Sequence, residues 1–436
     1  MAVRNKIVAI LIVLIFSCLP TAVESAFIPE SLFEPDHIRI TNQYSEMSDF
    51  VSAEKNITSL MKNWSIKGAS VAIAKDGKLV YAKGFGVTDT ISNEPVQPYN
   101  RFRIASISKL VTAVAIMKLC ENGKLSLSDK VFGPDAILND SIYLNAKDKR
   151  AYSITVAHLL THEGGWTQVY GDQMFMPVVI ANEMHEDLPI DLQTIVRFAL
   201  SKRMHFTPGT SRSYSNLGYS ILGLVIEKVT GMSYEDYCKI NILAPLGIFD
   251  MEIAHNLQEE KAPFEVSYYT PSNIEFKPSI YGTGEMLNPA YGGNDIEALG
   301  AAGAWIATPT DLMKLMLAID GIDTTPDILS EESITYMTSY FEGNAPVGWT
   351  SVAMNGTWSR TGSFPGTEGL MKRLPDGFDY VILFNTSSWI GPQLHNYVST
   401  SMSRFLRQVK NWPEDNLFEY DTPVPLLADV IAQVVR

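Results

Sequence analysis

From Leu110 to Cys120 the chain reads Leu-Val-Thr-Ala-Val-Ala-Ile-Met-Lys-Leu-Cys, and only Thr112 and Lys118 interrupt the apolar run. A helix that is hydrophobic on nearly every face must be enclosed by the rest of the fold. Glu121-Asn122-Gly123 follows with residues that suit a helix C-cap. The chain is therefore expected to build around this segment.

The entrance to the run is Phe102-Arg103-Ile104-Ala105-Ser106-Ile107-Ser108-Lys109. Ser106 and Lys109 are one helical turn apart, so hydroxyl and ammonium share a face. A serine is a poor nucleophile until a neighbour takes its proton. A lysine kept dry, its pKa lowered by burial, can be that neighbour. The positive helix N-terminus favours negative charge on the serine oxygen. The same spacing at Ser52/Lys55 and Ser59/Lys62 reads as a solvated helix face. Ser108 has no lysine three residues on. The competing account of Lys109 is a surface salt bridge.

Hairpin signals bracket the chain. Ala69–Ala74 and Leu79–Gly84 flank Asp76-Gly77, Ser351–Met354 and Thr357–Arg360 flank Asn355-Gly356, and Gly369–Arg373 and Tyr380–Phe384 flank Asp376-Gly377. Between them Ile190–Ser201, Asn216–Thr230 and Thr310–Ile319 carry helical apolar spacing. Thr308, Pro309 and Asp311 supply a cap, a first-turn proline and a capping-box acid for the last of these. A closing helix is expected from about Pro392 to Gln408. The pattern predicts an α+β fold: an antiparallel sheet of about five strands built from both chain ends, flanked by helices, with a large, mostly helical inserted region. The expected parts are 45–122 and 340–410 for the sheet region and 123–339 for the helical region, within a domain spanning 27–412. The role of the tail, 413–436, is unassigned.

Composition narrows the function. With 436 residues, 46% hydrophobic and 19% charged, the chain is an ordinary globular protein with ample material for a core. A net charge of −14 and no Lys/Arg-rich run argue against nucleic acid or an anionic membrane as partner. Arg4 and Lys6 before the apolar run Ile7–Phe16, with small residues near Ser25-Ala26, predict a signal peptide over 1–26, hence a secreted or periplasmic protein with no membrane span after cleavage. Ile15–Cys18 loosely resembles a lipoprotein box, with Phe16 atypical, which leaves lipidation at Cys18 as an alternative. Cys120 and Cys238 read as core residues. Asn56, Asn63, Asn139, Asn355 and Asn385 begin N-x-S/T triplets. His158 and His162 share a helical face, but no further ligand cluster accompanies them, so no metal and no cofactor are expected.

Three elements recur in order: Ser106-x-x-Lys109, Tyr214-Ser215-Asn216 before an apolar helix, and Arg360-Thr361-Gly362-Ser363 ending a late strand. With Lys67–Lys78, His158–Gly165 and Ala301–Leu312, they resemble the serine β-lactamase and penicillin-binding-protein family, specifically its class C-related branch of D-amino-acid peptidases, carboxypeptidases and esterases. The resemblance covers roughly Asp49 to Arg407. Tyr143-Leu-Asn145 is a second, isolated Tyr-x-Asn, and there is no G-x-S-x-G elbow.

The resemblance implies a β-lactamase/transpeptidase-like fold and a serine hydrolase. In it Ser106 attacks the substrate carbonyl, Lys109 and Tyr214 share the proton shuttle, and Asn216 bonds Lys109 or a substrate amide. Backbone N–H groups of Ser106 and Ser363 form the oxyanion hole, and Arg360, Thr361, Gly362 and Ser363 orient substrate. A tyrosine that acts as base near neutrality needs cations beside it, and Lys109 and Arg360 are the candidates. Arg360 stands where the family usually carries Lys or His. Its fork suits a substrate carboxylate, while its persistent charge keeps it out of a proton shuttle; the competing account is a pairing with a nearby protein carboxylate. The expected activity is that of a peptidase or carboxypeptidase on D-amino-acid or peptidoglycan-like peptides. The alternatives are an esterase on small acyl esters, a class C-like β-lactamase, or a non-catalytic peptide- or cell-wall-binding protein. Substrate identity, deacylation rate and oligomeric state are left open, with specificity expected in loops such as Gly164–Asp187 and Tyr281–Ala298.

Overall fold

Asp76 and Gly77 have φ of 50° and 78°, the pair of left-handed values a two-residue hairpin turn requires. They join β1 (Gly68–Lys75) to β2 (Lys78–Gly86). In this computed structural model, which describes residues 39–339 and 346–421, four later strands complete the sheet: β3 (Ser351–Val352), β4 (Trp358–Phe364), β5 (Thr367–Arg373) and β6 (Phe378–Phe384). The strand order is β2-β1-β6-β5-β4-β3, and every pairing is antiparallel. The last strand pairs with the first, Val71 opposite Ile382, so the sheet is built from both chain ends. It has six strands, in keeping with the expected sheet of about five. The arm expected over Ser351–Met354 is shortened to β3, a two-residue edge held by Ser351 opposite Ser359 and Val352 opposite Trp358.

Both faces of the sheet are buried, which explains strands that read as nearly continuous apolar runs. Val71, Ile73, Tyr380 and Ile382 point to one core, while Ala72, Ala74, Val381 and Leu383 point to the other. The first core is closed by α1 (Ser48–Trp64) and by a helix from the far end of the chain, Leu394–Gln408. Phe50, Ala53, Ile57 and Leu60 on one, and Leu394, Val398, Met402 and Phe405 on the other, form stripes at helical spacing.

The second core holds the apolar helix, α2 (Ser108–Glu121), in which every residue from Ser108 to Met117 is buried. It ends at Asn122, with Gly123 at a φ of 65°. Ser106 is not in α2 itself but in a preceding 3₁₀ turn, Ala105–Ile107. Against α2 pack α3 (Asn216–Thr230) and the turn Gly300–Ala302. The helix α4 (Pro309–Leu317) lies on β1 and β6 and has the expected Thr308–Asp311 capping box with Pro309 in its first turn. The Leu394–Gln408 helix, α5, follows a 3₁₀ turn Gly391–Gln393. Phe102–Arg103 pairs with Trp305–Ala307, and Ile104 N–H donates to the Trp305 carbonyl at 3.0 Å. This small ladder fixes the chain that enters α2.

After Trp412 the described tail runs along edge strand β2. Leu79 N–H donates to Asn416 Oδ1 at 3.0 Å, and Lys314 pairs with Asp421 at 2.8 Å. A covered edge cannot recruit a further strand. The described residues belong to one compact unit, 35–436, and among them no helix is long and apolar enough to cross a membrane. The expected signal peptide over 1–26, Cys18 and the apolar end of the tail lie outside the described residues. Cys120 and Cys238 are free thiols, and burial pushes Cys120 up to about 11. Asn385 is wholly buried and accepts from Gly68 N–H, so its triplet is closed to modification in the folded chain.

Candidate active site

The site forms where the starts of α2 and α3 and strand β4 converge on a cleft of about 600 Å³. Ala105 sits at φ 48°, a costly left-handed conformation for a residue with a Cβ, and presents Ser106 to the cleft. Lys109, one turn on, has no exposed surface. Its ammonium donates to Asn216 Oδ1 at 2.7 Å and to the Ala302 carbonyl at 2.6 Å, and lies 3.4 Å from Ser106 Oγ. Its Nζ also stands over the rings of Tyr214 and Tyr219, at 4.9 and 5.6 Å. Lys109 is thus no surface ion pair.

Burial lowers the Lys109 pKa, and Arg360 adds to the effect, while Tyr214 and Asp172 oppose it. A neutral amine has two hydrogens and one lone pair. With both hydrogens held by Asn216 Oδ1 and the Ala302 carbonyl, the lone pair is left for the Ser106 hydroxyl. That geometry lets Lys109 take a proton from Ser106.

The Tyr214 hydroxyl donates to Ser106 Oγ at 2.7 Å. Burial pushes the phenol pKa up, but Lys109 and Arg360 outweigh it and bring the pKa down to about 8. The residue is 38% exposed, so the desolvation it feels is partial and the two cations decide the direction. Beside it lies His162, ring centroids 4.6 Å apart. His162 is held well below its usual range by burial and by Lys109, Arg360 and Arg212, and its Nδ1 accepts from Ser215 N–H at 3.2 Å. The ring is therefore neutral. His158 closes a capping box with Thr155, so both histidines have structural occupations. Among the described residues no group of His, Cys, Asp and Glu is placed to hold a metal ion.

Arg360 has its guanidinium on the Ser106 main-chain carbonyl, donating from Nε at 2.7 Å and from Nη2. It is 3% exposed and grips a carbonyl rather than a protein carboxylate. The exposed cation on the cleft wall is Arg212. Gly362 permits the close approach of β4 to the Ser106 turn, because a Cβ there would fall 2.1 Å from the Ile104 carbonyl oxygen. Thr361 and Ser363 line the cleft. Thr361 N–H donates to Thr350 Oγ1 at 3.1 Å, and the Ser363 hydroxyl donates to Glu368.

The structure thus brings together Ser106, Lys109, Tyr214, Asn216, Arg360, Thr361, Gly362 and Ser363. It leaves aside Tyr143, buried against Phe132, and Ser108, whose Oγ accepts from Trp305 N–H. Sequence reasoning missed Asp172, whose carboxylate accepts from Asn216 Nδ2 at 2.7 Å and Gln168 Nε2 at 2.6 Å. The only signal was its place in the 164–187 loop. It also missed Arg212, which carries no motif, and the Ala302 carbonyl, which lies in the Ala301–Leu312 segment but is a main-chain group with no side-chain signal.

Comparison with known proteins places the chain in a family. Residues 53–386 match the β-lactamase family model. Protein flp of Staphylococcus aureus (strain MRSA252) is 25% identical over 376 residues, covering 84% of this chain and 67% of flp. The octameric penicillin-binding protein homologue from Pyrococcus abyssi superposes with a TM-score of 0.59 at 28% identity, covering 81% of this chain and 76% of that one. D-amino acid amidase from Ochrobactrum anthropi SV3 shares the fold, with a TM-score of 0.61 at 20% identity over 82% of this chain and 100% of that one. The match spans the Ser106 turn, the Tyr-x-Asn element and β4, and the chain belongs to the β-lactamase family of serine hydrolases.

Proposed function

We propose that the protein hydrolyses acyl substrates through an acyl-enzyme on Ser106. The observation that carries this reading is Ser106 Oγ at the cleft wall, 2.7 Å from Tyr214 Oη and 3.4 Å from Lys109 Nζ. Lys109 and Tyr214 take the Ser106 proton as Oγ attacks the carbonyl carbon. The oxygen that becomes negative is held by the N–H groups of Ser106 and Ser363. The tetrahedral species expels its amine or alcohol, which takes back the proton, and water then hydrolyses the acyl-serine by the reverse path. Asn216 and Arg360 act on Lys109 and the Ser106 turn, and Thr361 and Gly362 shape the wall along which substrate lies.

The substrate class we favour is a peptide with D-amino-acid character, as in the cell-wall peptides that penicillins mimic. The likeness to a penicillin-binding protein homologue supports it, as does an exposed cation, Arg212, suited to a substrate carboxylate. A second reading, an esterase on small acyl esters, gains from Arg360: with its fork on the Ser106 carbonyl, the innermost cation is not presented to a substrate carboxylate. The protein is proposed to work after export, with residues 1–26 removed and 27–412 forming the hydrolase domain.

The test is the intact mass of wild type and Ser106→Ala after incubation with a penicillin and, separately, a p-nitrophenyl ester. A penicillin adduct on wild type alone supports the peptidase-like reading, and ester turnover without an adduct supports the esterase. No adduct and no turnover from either reagent leaves a binding protein.

A further inference from the structure

Behind the strand that carries Ser363 lies a buried acid that the proposed reaction does not use. Glu368 on β5 stands directly opposite Ser363 in the β4–β5 ladder, and its side chain is 0% exposed. Oε1 accepts the Ser363 hydroxyl at 3.0 Å. Oε2 lies 3.2 Å from His395 Nε2 on α5, but off the direction a full hydrogen bond needs, and neither atom has another hydrogen-bond partner. His395 reaches the same cleft as Ser106. A buried carboxylate with one oxygen poorly satisfied is costly, and a hydrophobic side chain in its place would be cheaper for the fold alone.

We propose that Glu368 is a positioning residue that holds Ser363, and with it the oxyanion-binding end of β4, in register with Ser106. The inference rests on the Ser106 acyl-enzyme reading above. On its front face β4 is fixed to the nucleophile turn by Arg360 on the Ser106 carbonyl and by the close approach at Gly362. Those contacts set how near the strand comes at Gly362 and do not involve the Ser363 side chain, which faces the other way. The Ser363–Glu368 bond supplies the brace from behind. A hydrogen bond to a carboxylate is roughly twice as strong as a neutral one, which gives the burial of a charge here a purpose. His395 on α5 brings its Nε2 to 3.2 Å from the far oxygen of that carboxylate and so sets the helix layer against it. The Ser363 hydroxyl, committed as donor to Glu368, shows substrate only lone pairs.

An oxyanion contact strengthens in the transition state, so loosening it lowers kcat and spares KM. The experiment compares full-length wild type, Glu368→Ala, Glu368→Gln and Ser106→Ala in p-nitrophenyl ester turnover, with melting curves. Glu368→Ala is expected to lower kcat by about 10–100-fold, a fraction of what loss of an oxyanion donor costs, with KM within about twofold and Tm unchanged or raised. Glu368→Gln, whose amide oxygen still accepts from Ser363, should recover part of kcat. An unchanged kcat in Glu368→Ala overturns the proposal, as does a loss that follows a lowered Tm with no recovery in Glu368→Gln. Turnover that survives in Ser106→Ala overturns the acyl-enzyme reading beneath it, so the two failures are distinguishable.

Discussion

Asp172 decides which way the amide of Asn216 faces. The Asp172 Oδ2 accepts from Asn216 Nδ2 at 2.7 Å, and a carboxylate can only accept, so Asn216 Oδ1 is turned toward Lys109, from which it takes an N–H at 2.7 Å. Asp172 is itself tied down by Gln168 and by Met174 N–H. A residue on a loop thereby fixes the orientation of the amine beside Ser106 without touching Ser106 itself.

Asp172→Asn should therefore impair the base rather than the fold. An amide at 172 can donate to Asn216 and let its amide turn over, which would put N–H against Lys109. General-base catalysis contributes about 10²–10⁴-fold, and we expect kcat/KM to fall by about tenfold or more with little change in Tm. Steady-state ester kinetics beside a melting curve check this; a proportional loss of both would mark Asp172 as merely structural.

The pH profile should carry the Tyr214 ionisation. With the phenol brought to about 8, kcat/KM is expected to rise with pH through an acid limb near that value. Arg360 lowers both Tyr214 and Lys109. Arg360→Gln should thus move the limb to higher pH, because both groups then hold their protons longer. Profiles on a neutral ester read this directly, and a limb that stays in place in the variant contradicts it.

Gly362→Ala places a Cβ 2.1 Å from the Ile104 carbonyl oxygen, a backbone atom that cannot swing aside. Either β4 or the Ser106 turn must move. We expect acylation to slow by about 10²-fold or more, on the scale of a lost oxyanion donor, with near-native circular dichroism. Burst-phase acylation rates would show it.

Stability should decline as pH rises from about 4 to about 7. Burial pushes Asp379 up to about 7 and Asp320 up to about 6, each worsened by neighbouring acids. An acid whose folded pKa is raised keeps its proton in the native state over a range where the unfolded chain has lost it. The native state then binds more protons, and stability falls with rising pH. Asp379→Asn should remove part of that slope and stabilise the protein at pH 8, on the order of 1–3 kcal/mol. Denaturant melts at pH 5 and pH 8 test it; an Asp379→Asn effect of equal size at both would contradict the assignment.

Arg212→Ala should raise KM about tenfold for substrates that bear a carboxylate and leave neutral esters nearly unaffected, since an exposed cation on the cleft wall acts on ground state and transition state alike. Matched ester pairs with and without a carboxylate distinguish this from a general loss.

Much of the architecture was legible because it is local. Asp76-Gly77 announces a hairpin through its own φ preferences, and Thr308-Pro309-x-Asp311 announces a helix start through bonds within one turn. The length of the sheet's far edge was not legible, since β3 is two residues long and exists only through its pairing with β4. Of the site, Ser106 and Lys109 were visible as neighbours on a helical turn, and Tyr214 and Asn216 through the motif they share. Arg360 was visible as a cation, but its hold on the Ser106 carbonyl was not.

By itself the sequence determined the pieces: a helix too apolar to lie at a surface, hairpins at both ends of the chain, and a serine one turn from a lysine. Only the tertiary structure decided the chemistry each piece can do. Lys109 meets Asn216 across 107 residues, and Arg360 meets the Ser106 carbonyl across 254. Contacts of that reach leave no periodicity or turn preference in the chain. They arise when a sheet closes from two ends and brings α2, α3 and β4 to one cleft, where burial shifts the amine and two cations shift the phenol.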